Sequence, residues 1–297
     1  MKKRQLGALG ICTIAIYAAI GGLVGLLPVY LRRLGADESI IGLFLASAYL
    51  ALALSNVVAG WLAEHFRRRK VFLIVGGAMA TPLVWLMSRA TTVGALWALM
   101  AALWFVIGIP MTMSSILIGL GAVATSRGRS FGLLSLGSGL GLFLGNAISG
   151  PVVDRRGFPA LFAVFSLIFL LIPLAGCFVH EHVVPRSEQH AAPGLHGVFS
   201  TRLFTVLFVA SILAQAANIM IFLSRPLIMD SRHFDATMIS RANAVGNLLT
   251  LPLPLVLGWL ADRAGRKWII VVCFLAPTLG LLTQTAASEP WHFWISR

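Results

Sequence analysis

Gly60-Trp61-Leu62-Ala63-Glu64-His65-Phe66-Arg67-Arg68-Arg69-Lys70 and Gly258-Trp259-Leu260-Ala261-Asp262-Arg263-Ala264-Gly265-Arg266-Lys267 are two copies of one pattern. Each runs Gly-Trp-Leu-Ala, then an acid, then a basic cluster, and Gly258 follows Gly60 by 198 residues. Each copy joins two long apolar runs. The longest polar stretch, about residues 180–201, lies between the copies. A repeat of this length, punctuating apolar segments, points to a duplicated helical architecture.

The runs around the repeat define the class. Stretches long enough to cross a bilayer, about 17–25 residues, are expected at 6–31, 39–63, 71–88, 94–123, 131–153, 158–179, 203–228, 237–261 and 268–287. They lack strand alternation, and backbone in lipid must satisfy its own hydrogen bonds, so all nine read as transmembrane helices. Composition agrees. Of 297 residues 58% are hydrophobic and 11% charged, with mean hydropathy +0.90, whereas a soluble chain carries about 25% charged residues. Cys12, Cys177 and Cys273 are scattered through apolar runs, which excludes a disulfide scaffold. The net charge of +13 sits in short clusters between spans, a topological pattern and not a nucleic-acid surface. Lys2-Lys3-Arg4 opens a run too long for a signal-peptide core, so it reads as a retained first helix. With the N-terminus inside, 14 of the 23 Lys and Arg fall on the inner side and most acids on the outer. The expected location is therefore the cell inner (plasma) membrane, multi-pass, with a cytoplasmic N-terminus.

The repeat resembles the signature of the major facilitator superfamily: Gly, three residues, Asp-Arg, any residue, Gly, a variable position, then Arg or Lys. The second copy matches through Gly258, Asp262, Arg263, Gly265, Arg266 and Lys267. The first keeps Gly60, Arg68 and Arg69 but has Glu64 for Asp, His65 for Arg, and Arg67 where Gly belongs. Arg127-Gly128-Arg129 and Gly150-Pro151 with Asp154-Arg155-Arg156-Gly157 extend the likeness along the chain. The resemblance implies an all-α membrane fold of two six-helix halves: residues 1–179 as a six-helix bundle, 180–201 as a cytoplasmic loop, and 202–297 as three helices and the start of a tenth. It also implies a secondary transporter that is not an enzyme, needs no cofactor or metal, and acts as a monomer when complete. A complete second half would extend to about residue 377, reckoned from the 198-residue offset, so the last three helices are expected to be missing.

Physical reasons support the signature's role. Its Gly lets helices approach. Its acid at a helix end can face the positive N-terminus of a neighbouring helix, a contact that can hold one side of a carrier shut. The resemblance implies that Asp262 packs near Ser126–Ser130 and that Glu64 meets an eleventh helix.

For the substrate, the resemblance places the first, fourth, seventh and tenth helices around a central cavity. Polar side chains in lipid are costly and gather on protected faces. The candidates are Tyr17, Met111, Ser115, Asn146, Gln215, Asn218, Asn243 and Asn247, with Thr13, Ser135 and Ser138 beside them. Ser211, Gln215, Asn218, Phe222 and Arg225 form a stripe on one side of the seventh helix, where Arg225 is expected to snorkel to the outer surface. Gly137, Gly141, Gly145 and Ser149 form a small-residue ridge for close packing in the fifth. No Asp or Glu lies deep in any span, which favours a small, neutral or amphipathic organic substrate over a strongly cationic one. Gly139, Gly150 and Pro151 partly match a drug-antiporter motif and point towards efflux. His180, His182, His190 and His196 are irregularly spaced in a polar loop and read as a solvated linker. The alternatives are a non-transporting remnant of such a carrier or, further off, an intramembrane enzyme, for which the interfacial acids Asp37, Glu38 and Asp154 are too dispersed.

Overall fold

A computed structural model describes residues 3–121, 127–181 and 202–253, and scattered positions from 256 to 282. Every regular element among them is helical. They are α1 (Lys3–Val24), α2 (Leu27–Arg33), α3 (Glu38–His65), α4 (Arg69–Met87), α5 (Val93–Gly121), α6 (Arg127–Phe169), α7 (Leu171–Cys177), α8 (Arg202–Ser231) and α9 (Ala236–Thr250).

Among the described residues, six stretches are long and apolar enough to cross a membrane: Arg4–Arg33, Glu38–His65, Arg69–Met87, Val93–Gly121, Phe131–Cys177 and Phe204–Ser231. At about 1.5 Å per residue the 47-residue stretch is about 70 Å long, enough to cross a core of about 30 Å twice. Gly157, at φ 78°, folds α6 back on itself, and Pro159 then occupies the first turn of the returning limb. A residue in the left-handed region ends a helix, and proline near a new N-terminus starts one. This turn separates the expected fifth and sixth spans. The expected eighth span is represented by the 15 residues of α9, and the expected ninth by helical residues 271–276 and a few neighbours. Nine full spans are not reached among the described residues.

Chain direction alternates, so the bundle has two ends. One carries Lys3, the α3–α4 turn, the end of α5 and Glu181. The other carries Arg32–Glu38, Asp154–Gly157 and Asp230–Asp235. At the second end, Asp37 and Asp235 cap their helices, accepting from Ile40 N at 2.7 Å and Met238 N at 2.6 Å. Tyr30 stacks on Phe158 at 4.4 Å and Arg33 lies 5.4 Å over the same ring, tying the first span to the returning limb.

The core packs α1 against α6, α6 against α9, and α3 and α4 against α5. The small-residue ridge performs as expected. A Cβ at Gly141 would lie 2.6 Å from the Ile14 carbonyl, and one at Gly145 would overlap the Ala18 carbonyl, so α1 and α6 touch backbone to backbone. Large apolar side chains cover much of the outside, among them Leu50, Val57, Leu167, Phe178 and Leu213. In water such a surface would cost roughly 25 cal/mol per Å²; against lipid tails it costs nothing.

Candidate functional site

A cavity of about 100 Å³ opens between α1, α5 and the first limb of α6. Thr13, Ile16 and Tyr17 come from α1, Met111, Ser114 and Ser115 from α5, and Leu134, Ser135 and Ser138 from α6. Three hydroxyls donate to their own helices: Thr13 to Leu9 O at 2.8 Å, Ser115 to Met111 O at 3.2 Å, and Ser138 to Ser135 O at 2.8 Å. Their protons are thereby committed and their lone pairs left available as acceptors. Ser114 differs. It is 2% exposed and its Oγ has no hydrogen-bond partner among the described residues. Among the described residues no charged side chain lines the cavity. Its chemistry is that of hydroxyl groups set among Ile16, Met111 and Leu134.

The structure sorts the expected cavity residues into three groups. Tyr17, Met111 and Ser115 meet in this cavity. Asn146, Asn243 and Asn247 are buried in a separate layer between α6 and α9. Asn146 is eight residues beyond Ser138, about 12 Å along the helix, and donates to Leu142 O at 2.9 Å. Its amide presses on the end of α1, where a Cβ at Gly21 or Gly25 would come within 2.8 Å of it. Gln215 and Asn218 are exposed on α8, away from both groups.

Arg225 corrects an expectation. Far from reaching the surface, it is 2% exposed, with Nη1 3.5 Å from Asn243 Oδ1. Its helix packs against α9 and α2, so the side chain turns inward to the amide layer.

The end of the bundle next to that layer is closed by contacts between the two parts of the chain. Asp154, in the last turn before Gly157, accepts from Ala236 N at 3.2 Å and Thr237 N at 2.8 Å. With Asp235 Oδ1 taking Met238 N and Asp235 O taking Ile239 N, all four leading amides of α9 are satisfied. Two carboxylates at one helix N-terminus complement its positive pole. Beneath them Ser149 and Ser240 share a buried hydrogen bond of 3.0 Å. A Cβ on Gly150 would fall 2.5 Å from Thr237 Cα, so only glycine permits this approach. A second link runs from Arg32, which donates to Leu227 O at 3.3 Å and pairs with Asp230 at 3.5 Å and Glu38 at 2.8 Å. Asp154 and Arg32 were not among the sequence candidates for the site. Each looks like an ordinary loop-end charge until the folded chain supplies its partner.

At the opposite end lies the first signature copy. Arg67, standing where the signature has Gly, adopts φ 54°, the left-handed conformation glycine favours. Glu181 accepts from Arg69 N at 2.7 Å and Lys70 N at 3.4 Å, and Lys70 Nζ donates to Cys177 O at 2.7 Å. The basic cluster is thereby bonded to the end of the sixth span. Arg69 is buried, while Arg68 and Glu64 are exposed. A Cβ on Gly60 would meet nothing within 4 Å, so the close helix approach expected there is absent among the described residues. The second copy, Gly258, Asp262, Arg263, Gly265, Arg266 and Lys267, lies outside the described residues, as do His182, His190 and His196.

Similarity to known proteins agrees with this geometry. The family model described as Major Facilitator Superfamily matches residues 9–296. Multidrug resistance protein MdtG of Salmonella dublin is 27% identical over 99% of this chain and 76% of its own length; that of Salmonella typhimurium is 26% identical over the same shares. The nucleoside transporter NupG superposes with TM-score 0.75 at 15% identity, covering 99% of this chain and 78% of its own. The D-xylose-proton symporter does so with TM-score 0.70 at 17% identity, over 99% and 78%; likenesses at these identities speak for the fold. This chain, a multi-pass membrane protein embedded in a lipid bilayer, belongs to the Major Facilitator Superfamily and is a transmembrane transporter.

Proposed function

We propose that the protein exports small, neutral or amphipathic organic molecules across the inner membrane by alternating access. Its N-terminus is cytoplasmic, it works as a monomer without a cofactor, and it catalyses no chemical conversion. The reading assigns residues 1–179 and 202–297 to two rocking parts joined by the 180–201 loop. The observation that carries it is the cavity lined by hydroxyls at Thr13, Tyr17, Ser114 and Ser138, with no charge on it among the described residues, about 24 Å along α6 from an end held shut across the two parts. A cavity of hydroxyl acceptors with one uncommitted buried donor favours a neutral hydrogen-bonding solute over an ion. The multidrug-resistance names of the relatives support export.

In this reading the cavity receives substrate from the cytoplasm while the Asp154 and Arg32 contacts close the outer end. Breaking those contacts releases substrate outside. The signature residues Gly60, Glu64, Arg68, Arg69, Gly258, Asp262, Arg263, Gly265, Arg266 and Lys267 serve the cytoplasmic side in the converse state. Asn146, Asn243 and Asn247 line the path between cavity and outer end, with Gln215 and Asn218 on the second part. The test is flux of a panel of neutral and amphipathic fluorescent solutes from reconstituted vesicles. Flux that falls on Tyr17→Ala and Ser114→Ala, with folding intact, is the expected result. No substrate-dependent flux across the panel overturns the proposal.

A further inference from the structure

A second feature lies outside the transport path. At the Gly157 turn the two limbs of α6 leave a crevice of about 380 Å³. One wall is Pro151 and Val152 on the outgoing limb. The other is Ala160, Ala163, Val164 and Leu167, which follow helical spacing along one face of the returning limb. The two alanines make the depression, and the exposed Leu167 marks its deeper, lipid-facing end. Arg155 and Arg156 stand at the opposite end, beside the turn. Both are exposed, and neither has a hydrogen bond or ion pair among the described residues. The adjacent carboxylate pairs with neither of them, because Asp154 is turned to the amides of α9.

The arrangement is amphipathic along its length. Two guanidinium groups with no ion pair among the described residues lie where the helices leave the membrane, at headgroup depth, and an apolar groove runs from them into the hydrocarbon. We propose that this crevice binds a phospholipid with an anionic headgroup. Its phosphate sits at Arg155 and Arg156, and one acyl chain lies along Ala160, Ala163 and Leu167. Guanidinium groups favour phosphate through paired N–H donors, and each basic residue at a membrane surface raises affinity for anionic lipid about fivefold.

The test uses the full chain purified in a neutral detergent, with retained lipid read by native mass spectrometry during titration with phosphatidylglycerol or phosphatidylcholine. Phosphatidylglycerol is expected to bind more tightly, and the Arg155→Ala/Arg156→Ala double variant to lose about 25-fold in its affinity, the product of two such factors. Ala163→Leu, which fills the groove and leaves both arginines, is expected to weaken binding as well. Unchanged melting temperatures without lipid confirm that both variants fold. Equal binding of the two lipids, or unchanged binding in the double variant, overturns the proposal. Displacement of the lipid by an equal concentration of soluble glycerol phosphate also overturns it, since the site would then be one for a free phosphate.

Discussion

Asp154→Ala should open the end of the protein at which Asp154 caps α9. The carboxylate accepts two backbone N–H groups from the other part of the chain, at 3.2 and 2.8 Å. A charge-assisted hydrogen bond contributes about 1.5–3 kcal/mol when buried, and the helix pole adds about 0.3–1 kcal/mol for a carboxylate. Asp154 is exposed, so water competes for both contacts and the pair together is set at about 2 kcal/mol, the lower part of that range. Losing it shifts the closed-to-open ratio about 30-fold. Asp154→Asn keeps an acceptor but no charge, and is expected to shift it about fivefold, or ~1 kcal/mol. The probe is a cysteine at Ser240, which is 1% exposed behind the closure, in a background lacking Cys12, Cys177 and Cys273. The rate of reaction with a membrane-impermeant maleimide reports opening. Asp235→Ala is the control. It removes the helix's own cap, which bonds Met238 N at 2.6 Å, and leaves the cross-chain bonds, so its labelling should stay near the starting rate. Unchanged labelling in Asp154→Ala, or an equal rise in Asp235→Ala, refutes the reasoning.

Three other outcomes are expected. Gly150→Val places methyl groups where a Cβ already lies 2.5 Å from Thr237 Cα; it should wedge the same end open and raise Ser240→Cys labelling at least as much as Asp154→Ala. Arg67→Gly should raise thermal stability by roughly 0.5–1 kcal/mol, since Arg67 holds φ 54°, at a cost of about 1–2 kcal/mol for a side-chain-bearing residue, partly offset by glycine's greater chain entropy; a fall in melting temperature contradicts this. Ser114→Ala removes a buried hydroxyl lacking a partner among the described residues, and should leave stability equal or raise it by about 1 kcal/mol while slowing flux, whereas a stability loss with unchanged flux would make the serine structural.

Much of the architecture was legible in the chain. The apolar runs locate the crossings because hydropathy is a local property averaged over about 20 residues. The expected spans 131–153 and 158–179 are separated where Gly157 turns the chain, because a break in hydropathy and its turn chemistry both act within a few residues. The ridge Gly137, Gly141, Gly145 forecast close packing against another helix through its spacing. Even the departure at Arg67 is consistent: the turn keeps the left-handed conformation although the residue has changed.

The site was legible only in part. Tyr17, Met111 and Ser115, expected around a cavity, do line one together, since each lies on the protected side of its helix. Arg225 was misplaced because a stripe along one helix gives direction but not the neighbour that will cover it; α9 covers it here. Asp154 and Arg32 were overlooked because their partners, Ala236 and Leu227, lie 82 and 195 residues away. By itself the sequence determined the membrane class, most of the crossings, the repeat and the family, all properties of local composition and spacing. Only the tertiary structure decided which charges are paired, which polar groups share a cavity and which end is shut. Those depend on where distant helices meet, and the free energy of a carboxylate or guanidinium is set by the neighbours that replace its water.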